Sequence, residues 1–484
     1  MLFNSFQFLV FFVLVTGFYF ILPHRFRWGL LLVASCWFYM SFVPIYILIL
    51  IFTIAVDYSA GRLMEHWPDR RKKGVLFASL FANIGTLGLF KYYGFINGNL
   101  AWLLHPLGLQ SPFPELSLLL PIGLSFHTFQ AMSYTLEVYA GRQKAEKHPG
   151  RYALYVMFYP QLVAGPIERP GHLLPQFMER HVFDYDRVTS GLRLMAWGLF
   201  KKAVIADRLA VVVDTVYGAP DRFNSLSLAV ATLFFSFQIF CDFSGYCDMA
   251  IGAARVMGFR LVNNFNRPYH AASVAEFWKR WHISLSTWFR DYLYIPLGGN
   301  RVSLPRWVAC IGIVFLVSGL WHGANWCFVI WGGLHGAYLI TGRLVQRSGS
   351  RLARLPGVRP CGPLSVLVTF FLVTAAWVFF RAGNLDTAFL VFRQGIEGIP
   401  LLFRHLLQHR SVFEYIGVSR FELVLSGLLI LLLETIHFVQ PRIPLTQMFL
   451  RAPAVLRWTV YVAVVLSILV LGVFEDRPFI YFQF

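Results

Sequence analysis

Charged residues are scarce in this chain, and acidic residues are the scarcest of them. Only 14% of the 484 residues are charged, with 24 acidic side chains against 42 basic ones, whereas 57% are hydrophobic. Residues 307–342 contain no Lys, Arg, Asp or Glu at all. Apolar runs of about 20 residues are long enough to cross a bilayer as helices. The composition therefore excludes an ordinary soluble domain and predicts an all-α, polytopic helical membrane protein.

The apolar runs predict about 11 to 13 membrane segments, including short and re-entrant helices around a central passage. No fixed-period repeat or low-complexity linker divides residues 1–484, which we take as a single transmembrane domain with an interfacial amphipathic region at about 255–306. Residues 152–166 are a candidate span and residues 383–415 a long connection. The run 28–56 has basic residues at both ends, which agrees with the positive-inside rule if Pro44 marks a hairpin and conflicts with it if the run crosses once.

Several familiar signatures are also missing from the chain. It has no P-loop, dinucleotide fingerprint, zinc signature or nucleophile elbow, which leaves ATPase and serine-hydrolase functions without support. The six cysteines show no metal-ligand spacing and are expected to be small buried hydrophobes. The N-terminus lacks a basic segment ahead of its apolar run, so that run is expected to be a retained span. The net charge of +18 is concentrated in loops between apolar runs, which favours anionic lipids as partners and not nucleic acid.

One histidine, His322, stands near the middle of the uncharged stretch. Residues 255–306 before it hold eight Lys or Arg against two acids, and residues 343–359 after it hold five Arg and no acid. Both flanks are therefore expected on the cytoplasmic side, with the stretch entering the bilayer and returning. Fifteen helical residues cover about 22 Å, which places His322 deep in the membrane. Ionisable groups at that depth are costly and usually functional, and an apolar environment favours the neutral imidazole.

A second histidine, His282, lies in the basic connection. Residues 276–294 have aromatic and aliphatic residues at helical spacing, which predicts one amphipathic helix in the interface plane. Trp278, His282, Leu285 and Phe289 would share one face of it, and His282 would point towards apolar protein. On spacing alone, a structural histidine bonded to a neighbouring carbonyl stays open beside a functional one.

Other polar residues in apolar surroundings are more ordinary. Asp242 and Asp248 are expected to be structural, paired with an arginine, because a carboxylate in a span normally has a partner. His127 and His335 are single histidines on apolar faces and are expected to be satisfied core residues. Residues 160–169 contain Gly165 and two prolines, and such non-helical backbone in a membrane is tolerated when it is buried or lines a cavity.

Several motifs together resemble those of the membrane-bound O-acyltransferase family, and in particular its bacterial branch that acetylates alginate and other polysaccharides. The similarity runs nearly from end to end. It is carried by Phe277-Trp-Lys-Arg-Trp-His282-Ile-Ser, Arg290-Asp-Tyr-Leu-Tyr-Ile-Pro-Leu-Gly-Gly-Asn-Arg301, Gly319-Leu-Trp-His322-Gly-Ala-Asn-Trp326, Pro121-Ile-Gly-Leu-Ser-Phe126, Pro160-Gln-Leu-Val-Ala-Gly-Pro-Ile167 and Phe479-Ile-Tyr-Phe-Gln-Phe484. One departure is His127, where relatives tend to have Tyr, and no role is transferred to it.

The resemblance implies two polar positions, an Asn, Asp or His followed by a histidine in an apolar helix. They match His282 and His322, of which the second is the catalytic position and the first a supporting one. A general base at His322 would take a proton from an acceptor hydroxyl that arrives from outside. A transient acetyl-imidazole stays open as an alternative. Asn325 or His282 would orient His322 or donate to the developing oxyanion, and Trp321 and Asn325 are expected to contact substrate.

The resemblance further implies a cytoplasmic thioester donor, most plausibly acetyl-CoA, and no bound cofactor or metal. The phosphates of the CoA donor would bind to the basic residues of the connection 255–306, and the candidate contacts are Lys279, Arg280, Arg290 and Arg301. The acetyl group would pass across the inner (cytoplasmic) membrane to envelope-side acetyl-accepting or polysaccharide-acetylating proteins, with an exopolysaccharide such as alginate as final acceptor. Whether the chain hands acetyl to a partner or directly to sugar stays open.

Other functions compete with this hypothesis. Within the same family, the acceptor could be teichoic acid receiving D-alanine, a different polysaccharide, a lipid or a protein. In a different class, the chain could be a secondary transporter whose histidines relay protons, although no paired halves are visible in the sequence. A scaffold for polysaccharide export is a third alternative.

Overall fold

The computed structural model of the protein describes residues 1–116, 119–348, 357, 362–398, 400, 418–443, 445–474 and 479–480. Within these ranges the secondary structure is helical, as the sequence predicts. The α-helices are α1 (Phe6–Ile21), α2 (His24–Met40), α3 (Ile47–His66), α4 (Asp69–Leu87), α5 (Tyr93–Leu104), α6 (Leu124–Tyr139), α7 (Pro149–Met157), α8 (Tyr159–Leu162), α9 (Pro170–Leu173), α10 (Tyr185–Leu199), α11 (Asp207–Gly218), α12 (Ser225–Met257), α13 (Val274–Arg280), α14 (Ile283–Phe289), α15 (Leu304–His322), α16 (Trp326–Arg347), α17 (Pro363–Arg381), α18 (Leu385–Glu397), α19 (Arg420–Val439), α20 (Leu445–Arg451) and α21 (Ala454–Leu471).

Seven helices in the described ranges are long and apolar enough to cross a membrane. They are Pro44–His66, Asp69–Leu107, Ser225–Met257, Leu304–His322, Pro363–Arg381, Arg420–Val439 and Ala454–Leu471. The protein is therefore a multi-pass membrane protein. The larger number of 11 to 13 segments, which includes short and re-entrant ones, stays a prediction.

Three of the predicted boundaries can be compared with these helices. The run 28–56 is divided at Pro44, which begins a short 3₁₀ turn ahead of α3, so it forms two helices as the hairpin interpretation requires. The predicted span 152–166 is wrong, because α7 and α8 are short helices separated at Phe158. The predicted connection 383–415 is wrong in its first part, which forms α18, and residues 401–415 lie outside the described residues.

The chain forms two compact units. The first comprises residues 1–195 and 247–263, and the second comprises residues 196–246 and 264–483. Helices α11 and α13 to α21, with both candidate histidines, belong to the second unit. Among the described residues, three helical segments widen into π-helix, at Gly88–Tyr92, Phe200–Ala206 and Arg290–Tyr294. Such bulges are rare and are often found at functional sites.

Candidate active site

Helices α15 and α16 approach each other closely because both carry glycine where they cross. A Cβ added to Gly319 would lie 2.2 Å from the carbonyl oxygen of Phe328, and one added to Gly332 would lie 2.2 Å from that of Phe315. No side chain larger than hydrogen fits at either position without moving backbone. Small residues allow membrane helices to pack backbone to backbone in this way. The uncharged stretch 307–342 thus forms the helical pair that its sequence predicts.

His322 is the last residue of α15 and is buried, with 3% of its surface exposed. Its imidazole packs edge-on against three aromatic rings, with centroid distances of 4.9 Å to Trp321, 4.9 Å to Trp331 and 5.5 Å to Phe380. The turn that follows begins at Gly323, where a Cβ would lie 2.2 Å from the ring of Phe328. Helix α15, the glycine turn and the aromatic packing together fix the position of the imidazole.

Asn325 is the N-cap of α16. Its Oδ1 accepts the backbone N–H of Cys327 at 2.9 Å, and its Nδ2 donates to the carbonyl of Gly383 at 2.8 Å. The side chain therefore starts α16 and ties the turn to the end of α17, which positions His322 through the backbone. Its predicted contact with substrate or oxyanion stays a prediction.

The structure divides the connection around His282 differently from the sequence prediction. Residues 276–294 form α13, α14 and a π-helical segment instead of one amphipathic helix, so the single shared face is wrong. The break falls at His282, which has a left-handed backbone with φ of 43°. Asn264 stabilises the break between α13 and α14. Its backbone carbonyl accepts the N–H of Ile283 at 3.0 Å, and its Oδ1 accepts the N–H of Ser284 at 3.1 Å. Asn264 is a positioning residue that the sequence reasoning missed.

The side chain of His282 is fully buried, which confirms its predicted direction towards apolar protein. Burial lowers the pKa of His282 to about 3, so the imidazole is neutral at physiological pH. Its ring lies 4.7 Å from Phe243 and 6.0 Å from Trp321 between centroids. Trp321 in turn contacts His322. The fold therefore brings His282, Trp321 and His322 together, although the two histidines are far apart along the chain.

A large cavity lies beside this group, between α13, α14, α15 and α16. Its volume is about 1220 Å³, and we call it the basic cavity because Lys279, Arg290 and Arg343 line it. Ser318 also lines it and precedes His322 by four residues, or about 6 Å along α15. Neither His282 nor His322 belongs to the described residues that line it. The basic cavity thus ends about one helical turn from the catalytic candidate.

Four lining residues of the basic cavity form one network. Arg343 donates to the Oδ1 of Asn300 at 3.1 Å and lies over the ring of Trp307, 4.2 Å from its centroid. Tyr294 donates to the same Asn300 oxygen at 2.7 Å and accepts the indole N–H of Trp307 at 2.9 Å. Sequence reasoning did not select Arg343 as a ligand contact. The sequence feature that could have identified Arg343 is its position as the first basic residue after the uncharged stretch 307–342.

Two of the four residues predicted to contact phosphate, Arg280 and Arg301, do not line the basic cavity. Arg280 is not a lining residue of the basic cavity, because its guanidinium pairs with Glu276 at 2.5 Å, one helical turn away on α13. Arg301 is exposed and is not a lining residue either. Lys279 and Arg290 therefore line the basic cavity together with Arg343, and contact of any of these residues with phosphate stays a prediction.

The carboxylate of Asp242 is buried and paired, as expected, but its partner is a lysine and not an arginine. Lys202 lies between two carboxylates, with its Nζ 2.5 Å from Asp242 and 2.8 Å from Asp207. Asp242 also accepts the backbone N–H of Ile480 at 2.8 Å. The predicted arginine partner of Asp248 stays untested.

The two core histidines are buried as expected. The Nδ1 of His335 accepts the indole N–H of Trp278 at 3.3 Å, which supports the satisfied core position predicted for it. His127 is buried in α6 of the first unit, but neither of its ring nitrogens has a hydrogen-bond partner among the described residues, so the satisfied position predicted for it is not confirmed. Neither has contacts that suggest a catalytic function.

The described part of the chain is thus a helical multi-pass membrane protein with two buried histidines near a cavity lined by basic residues. Residues 123–381 match the model of the membrane-bound O-acyltransferase family, and this region contains both histidines. The chain belongs to that family and is an O-acyltransferase.

Three relatives with stated activities cover most of the chain. It is 37% identical to the peptidoglycan O-acetyltransferase of Helicobacter pylori over 79% of this chain and 76% of the relative. It is 37% identical to a probable alginate O-acetylase of Pseudomonas aeruginosa over 81% of this chain and 74% of the relative. It is 25% identical to the teichoic acid D-alanyltransferase of Bacillus subtilis over 65% of this chain and 80% of the relative.

Proposed function

We propose that this O-acyltransferase moves an acetyl group from acetyl-CoA in the cytoplasm across the inner membrane for O-acetylation of an envelope polysaccharide, through envelope-side partner proteins and with His322 as general base. The observation that carries the proposal is the buried group of His282, Trp321 and His322 one helical turn beyond the basic cavity. Relatives named as O-acetyltransferases of peptidoglycan and of alginate support acetyl as the group and a polysaccharide as the acceptor.

The basic cavity is the proposed donor site. Coenzyme A is strongly anionic at its nucleotide end, and Lys279, Arg290 and Arg343 offer charge-assisted hydrogen bonds to phosphate. The cavity volume of about 1220 Å³ exceeds the range of about 300–1000 Å³ common for small-molecule sites, which suits a ligand of this length. The thioester end would then extend past Ser318 towards His322.

The chemistry requires one proton to move between the two substrates. His322 accepts the proton of the acceptor hydroxyl as its oxygen attacks the acetyl carbon, so that a carbon–oxygen bond forms and the carbon–sulfur bond breaks. The same proton then passes to the leaving thiolate, which completes the balance without a further reactant. The buried imidazole of His282 would orient this exchange through Trp321 or donate to the oxyanion.

The acceptor side involves partners in this proposal. The acetyl group reaches the exopolysaccharide, such as alginate, through envelope-side acetyl-accepting proteins, and anionic lipids bind the basic loops of the membrane domain. Relatives named as alginate O-acetylases support a polysaccharide as the final acceptor, and direct transfer to sugar without a partner protein is the alternative.

The test compares two buried-histidine variants of the full chain in proteoliposomes. His322→Ala should lower acetyl transfer or acetyl-CoA hydrolysis by about 10²–10⁴-fold, the usual contribution of a general base. His127→Gln removes an equally buried imidazole from the other unit and should retain activity. Wild-type turnover by folded, inserted His322→Ala would refute the base. Transfer from a D-alanyl thioester but not from acetyl-CoA would replace the donor and favour the alternative substrate.

A further inference from the structure

Two histidines and a glutamate form a compact cluster in the second unit, away from the active-site group. The Nε2 of His270 lies 2.9 Å from one carboxylate oxygen of Glu434, and the Nδ1 of His437 lies 3.3 Å from the other. The donor atoms of all three residues fall within 4.8 Å of one another. All three side chains are half-buried or more, and His437 is 11% exposed.

The local structure aims these side chains at one point. Glu434 and His437 are three residues apart in α19 and so lie on one face, the Glu-x-x-His spacing that binds metals in helical bundles. His270 comes from the short turn Pro268–His270 that precedes α13. The ring of Phe240 packs edge-on against the imidazole of His437, with a centroid distance of 5.5 Å, which limits its rotation. The position of the third ligand is thus set by a separate element of the chain.

The donor set and spacing suit zinc. Imidazole nitrogen and carboxylate oxygen bind Zn²⁺ at about 2.0–2.2 Å, so adjacent donors of a tetrahedral site lie about 3.4 Å apart. The two nitrogen-to-oxygen distances, 2.9 Å and 3.3 Å to different oxygens of Glu434, are 0.1–0.5 Å below that value. Two histidines and one glutamate leave a fourth position for water, as in three-ligand zinc sites. The sequence predicts no metal, because zinc signatures have short spacings between ligands, whereas His270 and Glu434 are 164 residues apart.

We propose that His270, Glu434 and His437 bind one zinc ion, which ties α19 to the turn ahead of α13. The ion would act as a structural clip, since α13 leads directly to His282 and its orientation sets where that residue lies. Zinc binding can be tested separately from acetyl transfer, because none of the three ligands lines the basic cavity or belongs to the group of His282, Trp321 and His322.

The experiment uses full-length protein with a tag that contains no histidine, purified in detergent, treated with a chelator and then dialysed. Zinc alone is added, and bound metal is measured by mass spectrometry together with the thermal midpoint. The wild type should bind one zinc per chain and gain thermal stability. Glu434→Gln and His437→Ala should lose the stoichiometric ion and the gain, whereas His105→Ala, an exposed histidine outside the cluster, should keep both.

Cobalt substitution provides a second readout on the wild type alone. Co²⁺ in the cluster should give the visible absorption of a four-coordinate nitrogen and oxygen site, and zinc should displace it. Because the cobalt measurement needs only the wild type, it tests the zinc site even if His437→Ala fails to fold. Absence of zinc from the folded wild type, or equal zinc content in folded Glu434→Gln, would overturn the site. In either case the three side chains would form histidine–glutamate hydrogen bonds only, and the result would leave the acetyl-transfer proposal standing.

Discussion

The crossing of α15 and α16 gives a sharp prediction about catalysis. In Gly319→Ala, the new methyl group would start 2.2 Å from the carbonyl oxygen of Phe328, and Cβ contacts below 3.0 Å are not tolerated. The helices must therefore separate by at least about 0.8 Å, the difference between these two distances. Overpacking of this kind destabilises by about 1–3 kcal/mol. His322 is one turn further along the same helix, and a displacement near 1 Å at a reacting group can lower the rate about 10²-fold.

The matched control lies on the same helix. A Cβ at Gly312 would meet nothing within 4 Å, so Gly312→Ala should keep full activity and raise helix stability by about 0.5–1 kcal/mol. Both variants are assayed as purified enzymes for acetyl-CoA turnover, with folding followed by size-exclusion elution and thermal midpoint. Gly319→Ala with wild-type turnover would refute the argument that the glycine crossing positions His322. Equal loss in Gly312→Ala would show that any added methyl on α15 is harmful, which also contradicts it.

Two further predictions concern stability. Lys202→Met leaves the buried carboxylates of Asp207 and Asp242 without their shared cation and should destabilise the protein by about 3–5 kcal/mol, measured as a lower thermal midpoint in detergent. As the control, Lys72→Met removes the exposed pair with Asp69 and should leave the thermal midpoint unchanged. An unchanged midpoint in Lys202→Met would contradict the ion-pair role. The hydrogen bond to Glu168 at 2.6 Å raises the pKa of His172, so their interaction stabilises the fold fully below about pH 6.5 and is lost as pH rises through the raised value. The midpoint difference between wild type and His172→Gln should therefore shrink from pH 5.5 to pH 8.5, and a constant difference would argue against the charged pair.

Local patterns in the sequence predicted the elements that depend on local physics. The uncharged stretch predicts the α15–α16 pair because helix formation in a membrane follows from apolar length and satisfied backbone. Pro44 predicts the division between α2 and α3 because proline cannot continue a helix from within. The burial of His282 and His322 follows in the same way from their apolar neighbours.

Contacts between distant residues account for the errors. The helical periodicity of residues 276–294 gave no sign of the break at His282, because Asn264 supplies its hydrogen bonds from a separate segment. The partner of Asp242 could not be identified as Lys202, since many basic residues were available and only tertiary packing selects one. Arg280 differs from these, because Glu276 four residues earlier already indicated an ion pair that would occupy its guanidinium.

The backbone conformation at His282 also limits which residue types fit at this position without strain. Most residue types are strained at a φ of 43°, whereas Asn, Asp and His enter the left-handed region several-fold more often than other non-glycine residues. Those are the three types that the family resemblance assigns to this position. The left-handed backbone thus favours the same three residue types that the resemblance implies, for a reason of conformation and apart from their chemistry, whereas a lysine or glutamine of comparable polarity would add backbone strain.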